Sequence, residues 1–202
     1  MTKDTTTEQK ILDAAEEVFH EKGYDGARMQ EIAEQAGINK GLLHYYFKTK
    51  DKLFEAIFSV ALNRMISKIL TILEMEVPLE QKIDMIVDQY MALLARNPNL
   101  PRFVLNELNK NPEQFVARHV NKDLKIAFAN FSASVQKEAD GNRIRQIDAR
   151  QLLMNMISLI IFPFVGRPML QVVFGADHAE FKQLLLDRKE HIKRFLKDAI
   201  RP

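Results

Sequence analysis

Apolar residues along this chain recur every three or four positions and rarely alternate, the period of helices that each bury one side. The first predicted helix opens near Thr6 or Thr7, where Thr5 with Glu8 and Thr6 with Gln9 have capping-box spacing. It turns Ile11, Leu12, Ala15, Val18 and Phe19 inward and stops at Gly23, with Tyr24 packing in the loop. Two short helices follow within Met29–Phe47, and a long one runs from about Lys50, capped by Thr49, to Glu74. Pro78 separates it from a helix over Leu79–Arg96. A short helix over Leu100–Leu108 comes next, then a long one capped by Asn111, begun by Pro112 and ended near Ala139 by Gly141. Asp148 caps a helix over Ala149–Phe162 that is apolar on most of its surface, and Pro163, Gly166 and Pro168 break it. Met169–Phe174 reads as an irregular apolar patch, and an Asp177/Glu180 capping box starts a last helix to about Ile200. The expected fold is all-α with about nine helices.

The pair within Met29–Phe47 has a more specific pattern. Met29, Ile32, Ala33 and Ala36 keep helical spacing, Gly37 suits a sharp left-handed exit, and Asn39 suits the N-cap of the next helix. Leu43 and Phe47, four apart, turn inward. A small residue at the crossing, a glycine at the turn and an apolar anchor on the second helix have the offsets of a helix-turn-helix. Lys40, Leu42, His44, Tyr45 and Tyr46 cannot all face the core of so short an element. A cation, an imidazole, two phenols and an exposed leucine suit phosphate oxygens, base edges and thymine methyls.

These residues resemble the TetR family of transcriptional regulators. The likeness lies in Phe19-His20-Glu21-Lys22-Gly23-Tyr24, Ile32-Ala33-Glu34, Ala36-Gly37-Ile38-Asn39-Lys40-Gly41, Leu43-His44-Tyr45-Tyr46-Phe47, Thr49-Lys50 and Leu53-Phe54, in order at family spacing over about the first 60 residues. It implies a DNA-binding domain over 1–50 and a ligand-binding and dimerisation domain over 51–202. Ala27 and Arg28 stand where the family often has threonine or serine, Leu42 where a small polar residue is common, and His44 where tyrosine is common. These departures bear on the operator sequence rather than the fold.

On this reading Lys40 and Lys50 contact phosphates, Tyr45 and Tyr46 donate hydroxyl hydrogen bonds to phosphate, and Leu42 meets a thymine methyl or a sugar. Arg28 reaches a phosphate or base edge, Gly41 permits close backbone approach, and Asn39 and His44 complete the expected DNA-binding set. The expected partner is double-stranded DNA with a near-palindromic operator, read by a homodimer. The greasy helix over Ala149–Phe162 needs cover on several sides, and a second subunit supplies one of them. With the last helix it would build a four-helix bundle across a two-fold axis, through Leu153, Met156, Ile157, Ile160, Leu184, Arg188, Ile192 and Phe195. The resemblance implies the same dimer. It also implies a pocket for a small, largely apolar effector, for which Tyr90, Phe103, Phe115, His119, Phe128, Phe131, Asn155, Ser158 and Phe162 are the candidate lining.

Composition narrows the alternatives. A chain of 202 residues, 47% hydrophobic, has enough apolar surface for one large or two small domains. It has no cysteine, which excludes disulfides and thiolate metal sites. The polar N-terminus lacks the apolar run of a signal peptide, and Leu152–Val165 is too short to span a bilayer, so the expected location is the cytoplasm, with no membrane partner. Net charge is only +2, but every charge from Lys40 to Lys50 is positive while the acidic groups of the first fifty residues all precede Gly37. The five histidines lack metal-ligand spacing, and no glycine-rich phosphate loop or nucleophile elbow is present, so neither a cofactor nor an enzyme activity is expected. The rival reading is a helical interaction module that docks a protein on the helix-turn-helix. The central cations and the tyrosine pair argue against it.

Overall fold

Eleven helices and no strand make up the described part of the computed structural model, which covers residues 2–119 and 122–202, with side chains for all of these except 2–5 and 25. The chain divides into two compact units, Met1–Arg64 and Met65–Pro202. In the first, α1 (Thr2–Gly26), α2 (Met29–Gln35), α3 (Lys40–Tyr46) and the start of α4 (Lys50–Glu74) enclose one core. Ile11, Ala15, Val18, Ala27, Ile32, Ala33, Leu43, Phe47, Leu53 and Ile57 form it. Thr5, half of one predicted capping pair, has a side chain outside the described set. Gly23 takes φ 70° and ψ 177°, so helical geometry fails there although turns continue to Gly26. Tyr24 stacks on Phe19 at 6.1 Å and meets Phe54 edge-on at 4.7 Å, which sets the loop after the break.

The turn between α2 and α3 forms as its residues require. Gly37 has φ 68°, its N–H donates to Glu34 O at 3.1 Å, and the Ile38 N–H donates to Ala33 O at 3.0 Å. This pair of bonds closes a helix through a left-handed residue, where a Cβ would be strained. The side chain of Asn39 then accepts from the Leu42 N–H at 2.8 Å and starts α3.

The second unit holds the end of α4 with α5 (Leu79–Arg96), α6 (Leu100–Lys110), α7 (Pro112–His119), α8 (Lys122–Asp140), α9 (Ala149–Val165), α10 (Arg167–Phe174) and α11 (His178–Ile200). Its centre is Ile83, Ile86, Phe131, Leu152, Met156, Ile160 and Leu196. α9 packs against α5, α6, α8, α10 and α11, and α5 lies along α11. The α5–α11 contact carries ion pairs from Asp84 to Lys197 at 3.1 Å and from Asp88 to Lys193 at 2.7 Å. Buried Lys82 donates to Leu73 O at 2.8 Å, tying the end of α4 to α5. Burial pushes its ammonium below the ordinary lysine value, against the pull of Glu138 and Glu76.

Four expectations change. α1 begins at Thr2 rather than near Thr6 or Thr7, so neither threonine opens it. Met169–Phe174 is helical, because Pro168 lies in the first turn of α10, where a missing N–H costs nothing, and Gly175 at φ 63° closes the helix. α8 ends through Asn142 at φ 54°, not through Gly141. Pro163 lies inside α9 rather than ending it at Phe162. The predicted continuity of one helix from Asn111 to Ala139 turns on residues 120 and 121, outside the described set. α4 is long and apolar enough to cross a membrane by length and composition alone. However, Leu53, Ile57, Phe58, Leu62, Met65, Ile69, Ile72 and Leu73 on it are buried, and Lys52, Arg64, Lys68 and Glu74 are exposed.

Candidate nucleic-acid interface

α3 is seven residues long, and its anchoring side is spent on Leu43, fully buried, with Phe47 just beyond its end. Lys40, Gly41, Leu42, His44 and Tyr45 are therefore exposed together, with Lys48 following. Tyr45 is 79% exposed, so its ring face and hydroxyl are both open to a partner. Its ring meets Tyr46 edge-on at 5.5 Å. Tyr46 itself is half-buried against the core of the first unit, so it braces Tyr45 more than it faces outward. Arg28 is exposed at the start of α2, where it makes no side-chain cap. Asn39 is used as the cap of α3.

Lys50 departs from its expected role. Its Nζ donates to Tyr24 O at 2.7 Å and to Ala27 O at 3.1 Å and lies 4.4 Å from the Tyr24 ring centroid. Carbonyls at the end of α1 and an aromatic face occupy the ammonium, which makes Lys50 a clamp between α1 and α4 rather than a phosphate ligand. The Tyr24 hydroxyl in turn donates to Asp51. Lys52 pairs with Glu55 at 2.7 Å. Lys48 is exposed and lies outside the set expected to touch DNA. The run of three lysines pointed to it, but only the fold separates the outward one from the clamped ones. Replacing Lys50 with methionine is expected to cost about 1–3 kcal/mol of stability by removing these charge-assisted bonds, as read by urea unfolding.

The expected effector residues divide. His119 and Phe131 are buried, and Tyr90, Phe103, Phe115 and Phe128 are half-buried. The rings of Phe115 and His119 lie 4.7 Å apart. Asn155, Ser158 and Phe162 instead lie on the exposed side of α9, opposite Leu152, Met156 and Ile160, so they do not line an interior pocket. Phe128 belongs to an open groove of about 690 Å³ between α8 and the start of α9, lined also by Ser132, Gln136, Gln146 and Asp148. Periodicity gave no sign of this groove, because a loop forms one of its walls.

Burial, with help from Arg118, holds His119 below the ordinary histidine value. The unfolded chain then takes up this proton first as pH falls. Stability contributed by neutral His119 is present above the unfolded histidine value and declines below it. Melting temperature should drop between about pH 7 and pH 5, and His119→Gln should flatten that slope.

The expected dimer set also divides. Met156 and Ile160 are 0% exposed and Ile192 is buried, so the subunit itself uses them. Leu184 and Phe195 are exposed, and Leu153, Ile157 and Arg188 are half-buried. The outward sides of α9 and α11 carry Met154, Asn155, Ser158 and Phe162 on one helix and Leu184, His191 and Phe195 on the other.

A three-helix unit with an outward recognition helix, followed by a separate helical unit, defines a helix-turn-helix DNA-binding regulator. The chain belongs to the TetR family of bacterial regulatory proteins: residues 11–57 match its regulatory-protein model, and residues 79–199 match a tetracyclin repressor-like C-terminal domain. It is 26% identical over 199 residues to the HTH-type transcriptional regulator RutR of Escherichia coli K12, across 95% of this chain and 89% of that protein. It is 28% identical over 102 residues to the fatty acid metabolism regulator protein of Bacillus subtilis, across 50% of this chain and 53% of that one. The fold is shared with the transcriptional regulator FadR of Bacillus subtilis in complex with stearoyl-CoA, at TM-score 0.53 and 21% identity over 91% of this chain and 97% of that one. These relatives are regulators rather than enzymes.

Proposed function

We propose that the protein acts in the cytoplasm as a homodimeric repressor of a near-palindromic operator, released by a small, largely apolar effector. The observation that carries this reading is the outward face of α3, with Lys40, Leu42, His44 and Tyr45 exposed side by side on a helix anchored from behind by Leu43. Lys40 and Lys48 meet phosphates, Tyr45 packs on sugar and donates to phosphate, and Leu42 and His44 face bases. Arg28 supports the same edge, and Gly41 lets the backbone approach. Residues 1–50 carry the DNA function, and 51–202 carry effector binding and dimerisation.

The ring pairs Phe115–His119 and Phe128–Phe131, with half-buried Tyr90 and Phe103, support a small, largely apolar effector. The names of the Bacillus regulators point the same way. α4 contributes residues to both units, so a ligand favouring one position of it would bias the spacing of paired recognition helices. Ligand and DNA affinities would then be coupled reciprocally, by about 1–3 kcal/mol.

The test is selection from random duplex pools at two salt concentrations. A palindrome should emerge, with affinity falling steeply as salt rises. Lys40→Ala and Lys48→Ala should each weaken binding to all sequences. Each should also reduce the salt slope by about one unit per subunit, one for each phosphate that is no longer neutralised. Lys50→Met should leave the slope unchanged. Recovery of no motif would favour the protein-docking module.

A further inference from the structure

We propose that Arg188 is a positioning residue of the dimer face, supplying to α9 the hydrogen bond that Pro163 removes. The proposal rests on the dimer reading above. Pro163 is buried inside α9 and carries no N–H. The carbonyl four residues earlier, that of Leu159, therefore loses its helical donor, and the proline ring crowds it. Arg188 of α11 fills the gap: its Nε donates to Leu159 O at 3.0 Å and its Nη2 to the same oxygen at 2.9 Å.

Among the described residues, the Leu159 carbonyl is the acceptor that meets this half-buried guanidinium. Among the described residues Arg188 forms no ion pair, and burial pushes it below the ordinary guanidinium value. An arginine so placed without a carboxylate costs desolvation unless a strong acceptor meets it. A main-chain carbonyl left open by proline is such an acceptor. The contact also has leverage, because Arg188 occupies the middle of the outward stripe of α11, between Leu184 and Phe195. By folding back onto α9 it sets the rotation and axial register of the two helices whose outward sides form the proposed interface. Arg188 thus serves the dimer from within its own subunit, rather than by contacting the partner.

A double-mutant cycle tests this on the full chain, with Pro163→Ala, Arg188→Met and the pair. The readouts are the dimer dissociation constant from sedimentation equilibrium and the urea midpoint. Alanine restores an N–H at position 163, so the Leu159 carbonyl no longer needs the guanidinium. Arg188→Met should raise the dimer dissociation constant about 10-fold in the wild-type background, and by less than about 2-fold in the Pro163→Ala background. Arg188→Lys, which keeps a cationic donor but not the fork, should fall between wild type and methionine. Equal losses in both backgrounds, or no loss in either, would overturn the assignment. A wild-type protein that stays monomeric overturns the dimer reading instead. Coupling between positions 163 and 188 in the urea midpoint separates the two failures, since it persists in the second case and vanishes in the first.

Discussion

Replacing Leu184 and Phe195 together by glutamate is expected to convert the proposed dimer to monomers and to lower operator affinity by about 10²–10⁴-fold. Both side chains are exposed, Phe195 at 61%, so the isolated subunit loses little when they change. At a self-complementary interface each substitution is made twice, and four carboxylates would face one another across the axis. Taking such charges out of water without partners costs several kcal/mol, enough to abolish association at micromolar concentration. The loss on DNA follows from geometry. A dimer binds its second half-site at the effective concentration set by the first, and a monomer has no such advantage. Analytical ultracentrifugation and operator titration read the two effects. Thermal melting should show an intact fold, and a dimer that survives the double substitution would remove the interface from α9 and α11.

Leu43→Ala should have the other large effect, through the opposite route. Leu43 is 0% exposed and packs among Ile32, Ala33, Phe47 and Leu53. Truncating a buried leucine costs about 2–5 kcal/mol, as transfer free energy plus the cavity left behind. A unit of this size has a total stability of the same order. The full chain should then melt in two steps, the first unit at lower temperature, and operator binding should vanish with it. Leu42→Ala is the contrast one residue away. That side chain is 37% exposed, so its loss should shift the melting curve much less than Leu43→Ala does and reduce affinity selectively at the base it faces, by about 1–3 kcal/mol. Hydrogen-exchange protection of the α2–α3 segment tells the two apart, falling for Leu43→Ala and holding for Leu42→Ala.

The helix-turn-helix was legible in the sequence because its determinants are local. Gly37 makes the turn through its own backbone freedom, Asn39 caps the helix three residues ahead, and Leu43 and Phe47 share a side by spacing alone. None of these depends on a distant neighbour. The capping box at Asp177 and Glu180 was legible for the same reason: both of its bonds close within one turn.

Roles that depend on which side of a helix meets what were decided only in the folded chain. α9 is apolar almost all round, so its periodicity did not tell that Met156 and Ile160 would be consumed within the subunit while Asn155, Ser158 and Phe162 faced out. Lys48 and Lys50 are two cations in one basic run, and only the approach of α1 to the start of α4 turns Lys50 inward onto carbonyls. Arg188 acquired its partner because a proline on another helix left a carbonyl open. A sequence by itself determines backbone preferences and the spacing of apolar residues, which are short-range. The assignment of a charge to a phosphate, a carbonyl or a partner subunit depends on desolvation and on acceptors brought from elsewhere in the chain, and those exist only after packing.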